Sequence, residues 1–298
     1  MSPLLGQFFA LLTACAWAHN SVVYSFVGKR VSSPTTTHIR LWIALPAIII
    51  LNRLFTGSWF PVAADVTALV YIGLSGLLGY CVADLFIFNS FVRIGPRNTM
   101  LIMTLSPVFS LVLSRIFLQE HLRPLHGAGI AVTLVGIAWV ILEKENGKGS
   151  VKRDIGIGIL FSVLGALFQA FGVILSKMGM LKGLHPVSTN LIRITAGLIG
   201  VVLFAVLRGQ FFRDFTKMKD ARTLGLLVSA ALIGPVAGIV LSLYALKAAS
   251  VGIVTTISQM TPVILLPVER LLFGRRITPR ALVGTSIAVA GTALLFLY

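Results

Sequence analysis

The sequence predicts an all-α integral membrane protein with ten transmembrane helices, arranged as two inverted repeats of five helices. Three observations lead to this prediction: an apolar composition, a passage that occurs twice, and an odd number of apolar runs in each half. Of the 298 residues, 57% are hydrophobic and 11% are charged. Soluble domains carry about 25% charged residues, so this chain lacks the polar residues to cover a water-facing surface.

Apolar runs of about 20 residues recur along the chain, and each is long enough to cross a hydrocarbon core about 30 Å thick. We predict that all of them are helices, because lipid cannot satisfy exposed backbone polar groups and no run alternates like a barrel strand. The predicted spans are 4–27, 37–56, 66–92, 97–117, 124–142, 155–177, 186–207, 223–246, 251–272 and 280–298.

One passage of the first half returns in the second half. LSPVFSLVLSRIFLQEHLRP, from Leu105, aligns without a gap with MTPVILLPVERLLFGRRITP, from Met260, at an offset of 155 residues. The matched pairs are Pro107 with Pro262, Arg115 with Arg270, Pro124 with Pro279, Gly129 with Gly284, Gly136 with Gly291 and, earlier, Gly79 with Gly234. A looser match, after a gap of one residue, sets Arg40 opposite Arg193.

The repeat divides the chain into a first unit at 1–142, a polar linker at 143–154 and a second unit at 155–298. Because five spans form each unit, the second unit starts on the opposite side of the membrane. The two units are therefore predicted to be inverted, around an axis in the membrane plane.

Basic residues set the predicted orientation. Most of the 25 Lys and Arg residues fall at the loops between spans 1–2, 3–4, 5–6, 7–8 and 9–10. Positive charge favours the cytoplasm, so both termini are predicted to be periplasmic. The formal charge of +16 is assigned to these loops and to anionic lipid headgroups, and no nucleic-acid partner is expected. The same rule explains why Glu120 in one copy becomes Arg275 in the other.

The duplicated pattern is Ser or Thr, Pro and Val, then an apolar run, a charged turn, Pro, and two glycines seven residues apart. It resembles the EamA-type members of the drug/metabolite transporter superfamily across essentially the whole chain. The segment AWAHNSVVYS of the first span is similar to that of bacterial YddG-type amino-acid exporters. The resemblance implies a monomeric secondary transporter that exports amino acids and similar metabolites across the inner membrane, with no catalytic residue, metal or cofactor. Arg275 departs from the family's usual acidic residue there.

Polar and aromatic residues at mid-depth are the candidates for a substrate site, because inverted-repeat carriers bind substrate near the membrane midplane. The candidates are Trp17, Asn20, Tyr24, Tyr80, Asp84, Met103, Gln169, Tyr244, Thr255 and Gln259. For the aromatic residues, packing is the alternative role. For Asn20, Gln169 and Gln259, the alternative is hydrogen bonding between helices.

Asp84 is interpreted as the only acidic residue well inside a span, and intramembrane ionisable groups are functional candidates by default. It is predicted to bind an ammonium group or to carry a proton. The alternative is a buried carboxylate paired with His19, Arg93 or a backbone donor. Arg93 and Arg97 are predicted to lie at the inner headgroups.

Three prolines and three glycines are assigned to helix geometry. Pro107, Pro235 and Pro262 are predicted to kink their spans and to free the carbonyl four residues earlier, either for packing or as gates. The glycines of the third span are predicted to permit close helix contact; they are Gly73, Gly76 and Gly79.

Several alternative functions remain open at this stage. A multidrug or cation exporter would use Asp84 with aromatic residues. A sugar-phosphate or nucleotide-sugar exchanger requires Lys or Arg at mid-depth, and none lies near Pro107 or Pro262. An intramembrane enzyme is disfavoured because the sequence has no HExxH or GxSxG motif and no paired mid-membrane acids. A purely structural scaffold would not need a polar midplane.

Overall fold

The computed structural model describes residues 3–61, 65–117, 124–141, 152–218, 220–248, 257–274 and 277–294, and the regular secondary structure of these residues is helical. The helices are α1 (Pro3–Val31), α2 (Ser33–Thr56), α3 (Val66–Gly76), π1 (Leu77–Ala83), α4 (Asp84–Met103), α5 (Leu105–Phe117), α6 (Pro124–Ile141), α7 (Lys152–Met180), α8 (Pro186–Leu207), α9 (Phe211–Thr216), α10 (Ala221–Ala231), π2 (Leu232–Gly238), α11 (Ile239–Ala248), α12 (Thr261–Phe273) and α13 (Pro279–Leu294).

Five helical stretches of the described residues are long and apolar enough to cross a membrane. They are Ser33–Thr56, Val66–Met103, Asp154–Met180, Pro186–Leu207 and Ala221–Ser242. The prediction of an all-α, multi-pass membrane protein is therefore confirmed at this level. Two shorter apolar helices, Leu105–Phe117 and Gly127–Val140, follow the predicted fourth and fifth spans.

Helix ends differ from the predicted ends by a few residues. α2 begins at Ser33 instead of 37, because Pro34 occupies its first turn, where a missing N–H costs nothing. α7 begins at Lys152, so the last residues of the predicted linker are helical. The rest of that linker, from 143 to 151, lies outside the described residues.

The boundary predicted between the third and fourth spans, at 92–97, coincides with a break inside α4. Gly95 has φ 80° and ψ 167°, a conformation that glycine adopts without steric cost. Pro96 follows and cannot donate a backbone hydrogen bond. The backbone of Val66–Met103 is thus two helices joined end to end at Gly95.

Each half contains one π-helix, and both lie at the same place in the repeat. π1 spans Leu77–Ala83 and π2 spans Leu232–Gly238, which are separated by the 155-residue offset of the sequence repeat. A π-helix bonds residues five apart, so it leaves local backbone groups without the usual partner. Such segments occur frequently at functional sites.

The two halves pack against each other reciprocally. α1 of the first half contacts π2 and α11, and α7 of the second half contacts π1 and α3. α2 packs on α8, and α6 packs on α13, which pairs the equivalent helices of the two halves. The interior of the described protein therefore contains residues from both repeats.

Glycine permits the closest of these contacts. A methyl group on Gly136, Gly284 or Gly291 would collide with backbone atoms or side chains across the α6–α13 interface, and one on Gly76 would collide with the backbone of Arg193. The prediction for Gly73 is wrong, because a methyl group there would meet nothing within 4 Å. Gly73 lies on the side of α3 that faces away from these contacts.

Candidate functional site

Charged and polar side chains meet in the interior where π1 and α4 approach α1, α2 and α8. We call this group the central cluster, and its members are Tyr24, Arg40, Tyr80, Asp84, Asn190 and Arg193. All six side chains belong to buried residues. Three of them, Tyr24, Tyr80 and Asp84, are predicted site residues.

Arg40 and Asp84 form a buried ion pair. The Arg40 guanidinium donates to a carboxylate oxygen of Asp84, and the two side chains are 4% and 13% exposed. The guanidinium carbon also lies 4.9 Å from the ring centre of Phe88 and 5.4 Å from that of Tyr24. A guanidinium is the least hydrated of the basic groups and stacks on aromatic faces, which suits Arg40 to this setting.

The structure corrects the predicted partners of Asp84. Its ion-pair partner is Arg40, and neither His19 nor Arg93 bonds to it. His19 bonds to Asn20 at 3.2 Å, and Arg93 pairs with Asp154 at 2.6 Å. The prediction missed Arg40 because its position near the start of α2 was counted with the loop charges.

Arg193 is buried, and no acidic residue in the described part of the chain pairs with it. The residue is 8% exposed, and its Nε atom has no hydrogen-bond partner among the described residues. Its guanidinium carbon lies 5.2 Å from the ring centre of Tyr80, while that of Arg40 lies 5.6 Å from the same ring centre. Tyr80 thus contacts both guanidinium groups.

The formal charges of the central cluster sum to plus one, because two arginines share a single aspartate. Burying an unpaired charge costs several kcal/mol after relaxation, roughly, so an uncompensated guanidinium is an unfavourable element of a resting protein. The cluster is therefore complementary to a solute that brings one negative group. Positively charged solutes gain less here, because Arg40 already neutralises Asp84.

Asn20 and Tyr24 bind a backbone carbonyl beside π2. The Asn20 amide and the Tyr24 hydroxyl donate to the oxygen of Ala230 at 3.0 and 3.2 Å. Pro235, five residues further on, has no N–H with which to close a π-type bond to that carbonyl. A methyl group on Gly234 would overlap the Asn20 amide, so the two groups lie in close contact. Asn20 therefore forms a hydrogen bond between helices, which is the alternative role predicted for it.

Asn190 connects the two π-helices. The Tyr80 hydroxyl of π1 donates to the Asn190 side-chain oxygen at 2.8 Å, and the Asn190 amide donates to the Pro235 carbonyl of π2 at 2.7 Å. Asn190 is not among the substrate-site residues predicted from the sequence. Its position one helical turn before Arg193 on α8 was the available signal.

The remaining predicted site residues lie at different distances from the cluster. Gln169 of α7 approaches π1, with its side-chain oxygen 3.7 Å from where a methyl group on Gly79 would lie. Met103 packs on the apolar group that contains Tyr24 and Phe88. Trp17 is half-buried on α1, one turn before Asn20.

Two predicted residues are not brought to the cluster, and one cannot be placed. The ring of Tyr244 packs on Phe55 at 5.9 Å, near the end of α2 and roughly 20 Å along the helix from Arg40. Gln259 is half-buried in the turn before α12, and no contact joins it to the cluster among the described residues. Thr255 lies outside the described residues.

The three predicted kink prolines are all buried and occupy different contexts. Pro107 lies at the start of α5, just after the helix is interrupted at Thr104, whose N–H bonds to Leu101. Pro235 lies inside π2. Pro262 lies in the first turn of α12, and the Ser258 carbonyl that it leaves free accepts the Thr261 hydroxyl at 3.1 Å.

A second buried acid overturns the statement that Asp84 is the only one within a span. Glu269 of α12 is 2% exposed and contacts Arg97, with 3.9 Å between the Arg97 Nε atom and a carboxylate oxygen. The Arg97 backbone N–H donates to the same carboxylate at 3.3 Å. Arg97, at 9% exposure, is buried in the protein beside this acid, and its position at the inner headgroups stays a prediction. This pair joins α12 to the break at Gly95.

The described residues contain no group of three or more His, Cys, Asp and Glu side chains that could hold a metal ion. The cluster instead combines one carboxylate, two guanidiniums, one amide and two aromatic rings in a multi-pass helical protein. Ionisable side chains in such an interior are candidates for a functional site.

The sequence model of the EamA-like transporter family matches residues 4–142 and again residues 156–297. The chain belongs to this family, as the duplicated passage predicts.

Two individual proteins are similar to this chain. The chain is similar to an uncharacterized transporter, YxxF, of Bacillus subtilis (strain 168), with 26% identity over 211 residues. That alignment covers 70% of this chain and 64% of the relative, so somewhat less than two thirds of the relative is matched. A solved crystal structure of a protein shares the fold, with a TM-score of 0.66, 16% identity, and coverage of 98% of this chain and 96% of the other.

Proposed function

We propose that this protein exports amino acids and similar small metabolites across the inner membrane by alternating access. In this proposal it works as a monomer with ten spans, in which two inverted five-helix repeats enclose the central cluster and both termini are periplasmic. The observation that supports it best is the cluster itself, which lies between the two repeats and presents both a carboxylate and guanidiniums. Inverted-repeat carriers bind substrate between their repeats, near the bilayer midplane.

The chemistry of the cluster matches the parts of an amino acid. The α-carboxylate is a match for guanidinium donors, which bind carboxylates through two parallel hydrogen bonds. The α-ammonium is a match for the carboxylate of Asp84, which it would share with Arg40. Variable side chains would contact Phe88, Tyr24 and Met103, and methionine accepts several shapes because it is flexible and polarisable.

Breaks in the helices supply the flexibility that alternating access requires. α4 is interrupted at Gly95, the next helix begins after Thr104, and π1 and π2 interrupt equivalent helices of the two halves. Helix ends and π-helices change direction more readily than regular α-helix, so they are suited to act as hinges. In this proposal, each repeat rocks against the other around the fixed cluster.

Transport in proteoliposomes tests the function. Vesicles that contain the purified protein and a radiolabelled amino acid should release it faster than protein-free vesicles, and Asp84→Asn should slow that release. Gly73→Ala is the matched control, because its methyl group meets no neighbour and should leave flux unchanged. Absence of flux for all twenty amino acids would rule out the proposed substrate class.

A sugar-phosphate or nucleotide-sugar exchanger is the second candidate, and one observation favours it. The sequence lacked basic residues near Pro107 and Pro262, but Arg40 and Arg193 are both buried at the centre of the molecule. Phosphate groups pair with guanidiniums as carboxylates do. Exchange of labelled sugar phosphate against unlabelled sugar phosphate, with no amino-acid flux, would select this candidate. A multidrug or cation exporter is disfavoured by the positive cluster.

A further inference from the structure

We propose that Arg193 is an anion subsite that binds one carboxylate or phosphate group of the transported solute, while Arg40 and Asp84 remain paired beside it. The inference rests on the proposed transport function and specifies which group of the substrate is recognised and by which residue. It follows from the unequal surroundings of two arginines that occupy equivalent places in the repeat.

Arg193 carries a buried positive charge. Arg193 is only 8% exposed, and no carboxylate of the described residues lies within ion-pair distance of it. Asp84 is held by Arg40, and Glu269 contacts Arg97. Burial of an unpaired guanidinium is unfavourable, so an entering anion at this position gains both the charge interaction and the unmet hydrogen bonds.

Asn190, one helical turn before Arg193 on α8, already forms hydrogen bonds to other groups. Asn190 is bonded to Tyr80 and to the Pro235 carbonyl, so neither its oxygen nor its amide is turned toward Arg193. The Arg193 Nε atom has no partner in the part of the chain that the structure describes. This buried donor is therefore left without a hydrogen bond among the described residues.

Tyr80 and Gly79 orient the guanidinium of Arg193. The Tyr80 ring lies 5.2 Å from the Arg193 guanidinium carbon and fixes one of its sides. The lack of a side chain on Gly79 lets a terminal nitrogen of Arg193 lie against it, because a methyl group there would come within 3.2 Å of that nitrogen. A planar guanidinium held by a ring presents its N–H edge for two parallel bonds to a carboxylate or phosphate.

The charge of the cluster predicts which solutes the subsite selects. A monoanionic solute brings the formal charge of the cluster to zero, whereas a zwitterionic amino acid pairs with Arg193 and leaves that charge at plus one. A decarboxylated amine would add a second uncompensated cation, so it should bind weakly. Carboxylates and phosphates share the chemistry of the subsite, and the experiment has to separate them.

Binding by the purified full-length protein tests the subsite directly. Isothermal titration would use an amino acid, the amine obtained by its decarboxylation, and inorganic phosphate as probes. The amino acid or phosphate should bind wild type, and Arg193→Leu should weaken that binding by about 10- to 100-fold, the range for hydrogen bonds to a charged group. Arg193→Lys should fall between the two, because it keeps the charge and loses the planar fork.

Two further variants keep the test decisive if Arg193→Leu does not fold. Gly79→Ala retains the charge and narrows the space beside it, so it should weaken anion binding as well. Arg213→Leu removes an equal charge from the exposed helix α9 and should bind like wild type. Folding of each variant is checked by its Tm and by size-exclusion profile.

The outcomes separate the subsite from the proposed function. Unchanged affinity in Arg193→Leu and Gly79→Ala, or an equal loss of amine and amino-acid binding, would overturn the subsite. Anion binding that depends on Arg193, in a protein that moves no amino acid in vesicles, would uphold the subsite and refute amino-acid export. Preference for phosphate over the amino acid would assign the anion to phosphorylated solutes.

Discussion

The two halves of the molecule carry the same arginine in different electrostatic surroundings. In the first half, Arg40 of α2 pairs with Asp84 at the start of α4. In the second half, Arg193 of α8 corresponds to Arg40, and Ile239 at the start of α11 corresponds to Asp84. The duplicated architecture places both arginines at the centre, but among the described residues only Arg40 of the two pairs with an acid.

The repeat and the individual residues determine different properties of the centre. The repeat determines where the basic side chains lie, because α2 and α8 pack on each other. A single unmatched position then determines the charge at the centre. Equivalent positions in a duplicated transporter need not keep equivalent chemistry, and the loss of one carboxylate is enough to make the interior receptive to an anion.

Removal of the acid in the first half should have the largest effect on stability. Asp84→Asn leaves Arg40 buried without a counter-ion, and breaking such a pair costs about 3–5 kcal/mol. Thermal or denaturant unfolding in detergent measures the loss. The double variant Arg40→Met with Asp84→Leu removes both charges and should recover most of the stability. Equal stability of Asp84→Asn and wild type would show that the pair has no structural role.

Introduction of an acid in the second half should have the next largest effect. Ile239→Asp places a carboxylate at the position equivalent to Asp84, in a helix that packs against α8. If the carboxylate pairs with Arg193, anion affinity should fall by about tenfold or more. Titration with the amino acid used for wild type measures the change, and Ile239→Asn controls for the loss of apolar volume. An affinity like that of wild type would indicate that the halves are not equivalent here.

Two glycines on α3 give a smaller effect with an internal control. Gly76→Ala forces a methyl group into the Arg193 backbone, and such overpacking costs about 1–3 kcal/mol. Gly73→Ala faces open space and should be neutral or slightly stabilising, because alanine favours helix. Comparison of the two Tm values isolates the contact between α3 and α8. Equal Tm values would show that this interface adjusts without cost.

The smallest effect should come from the helix caps at Asp65 and Asp220, which are equivalent in the repeat. Asp65 accepts one N–H, that of Thr67, whereas Asp220 accepts those of Arg222 and Thr223 and also the Thr223 hydroxyl. Asp220→Ala should therefore lower Tm more than Asp65→Ala, by roughly 2 °C. A larger fall for Asp65→Ala would reverse this ranking.

The pH dependence of the Asp220 cap has a defined sign. The Thr223 hydroxyl bond is the main reason that the pKa of Asp220 is lowered from its usual 3.8, with help from the backbone N–H groups and Arg30. Its contribution to stability is therefore complete above about pH 3.8 and is lost as the pH falls through the lower folded value. Wild type and Asp220→Ala should converge in Tm at that acidic end.

Much of the fold was accessible from sequence because membrane spans and repeats leave strong signals. The boundary between the third and fourth spans was located at the Gly95 break because Gly and Pro mark helix ends. The π-helices could not be predicted, since a π-helix differs from an α-helix only in its hydrogen bonding and its sequence has the same apolar composition. The duplicated Gly79 and Gly234 lie inside them, but Gly79 was interpreted as a site of close helix contact and Gly234 as a repeat marker.

The candidate site was predicted in part, and the omissions share a cause. Asp84, Tyr24 and Tyr80 were selected because polar and aromatic side chains at mid-depth are conspicuous. Arg40, Arg97 and Glu269 were missed because charged residues near the ends of predicted spans are usually assigned to headgroups or loops. Burial depends on how helices tilt and overlap, which hydropathy does not report. The alignment of Arg40 with Arg193 was the signal that pointed to a shared position.

The matching π-helices bear on the history of the chain. A π-helix closes its hydrogen bonds five residues apart, one residue more than a regular α-helix. π1 and π2 share their length and their place in the repeat. A π-helix already present before the sequence was duplicated accounts for both segments. The loss of the acid opposite Arg193, or its gain opposite Arg40, then belongs to the later divergence of the two copies.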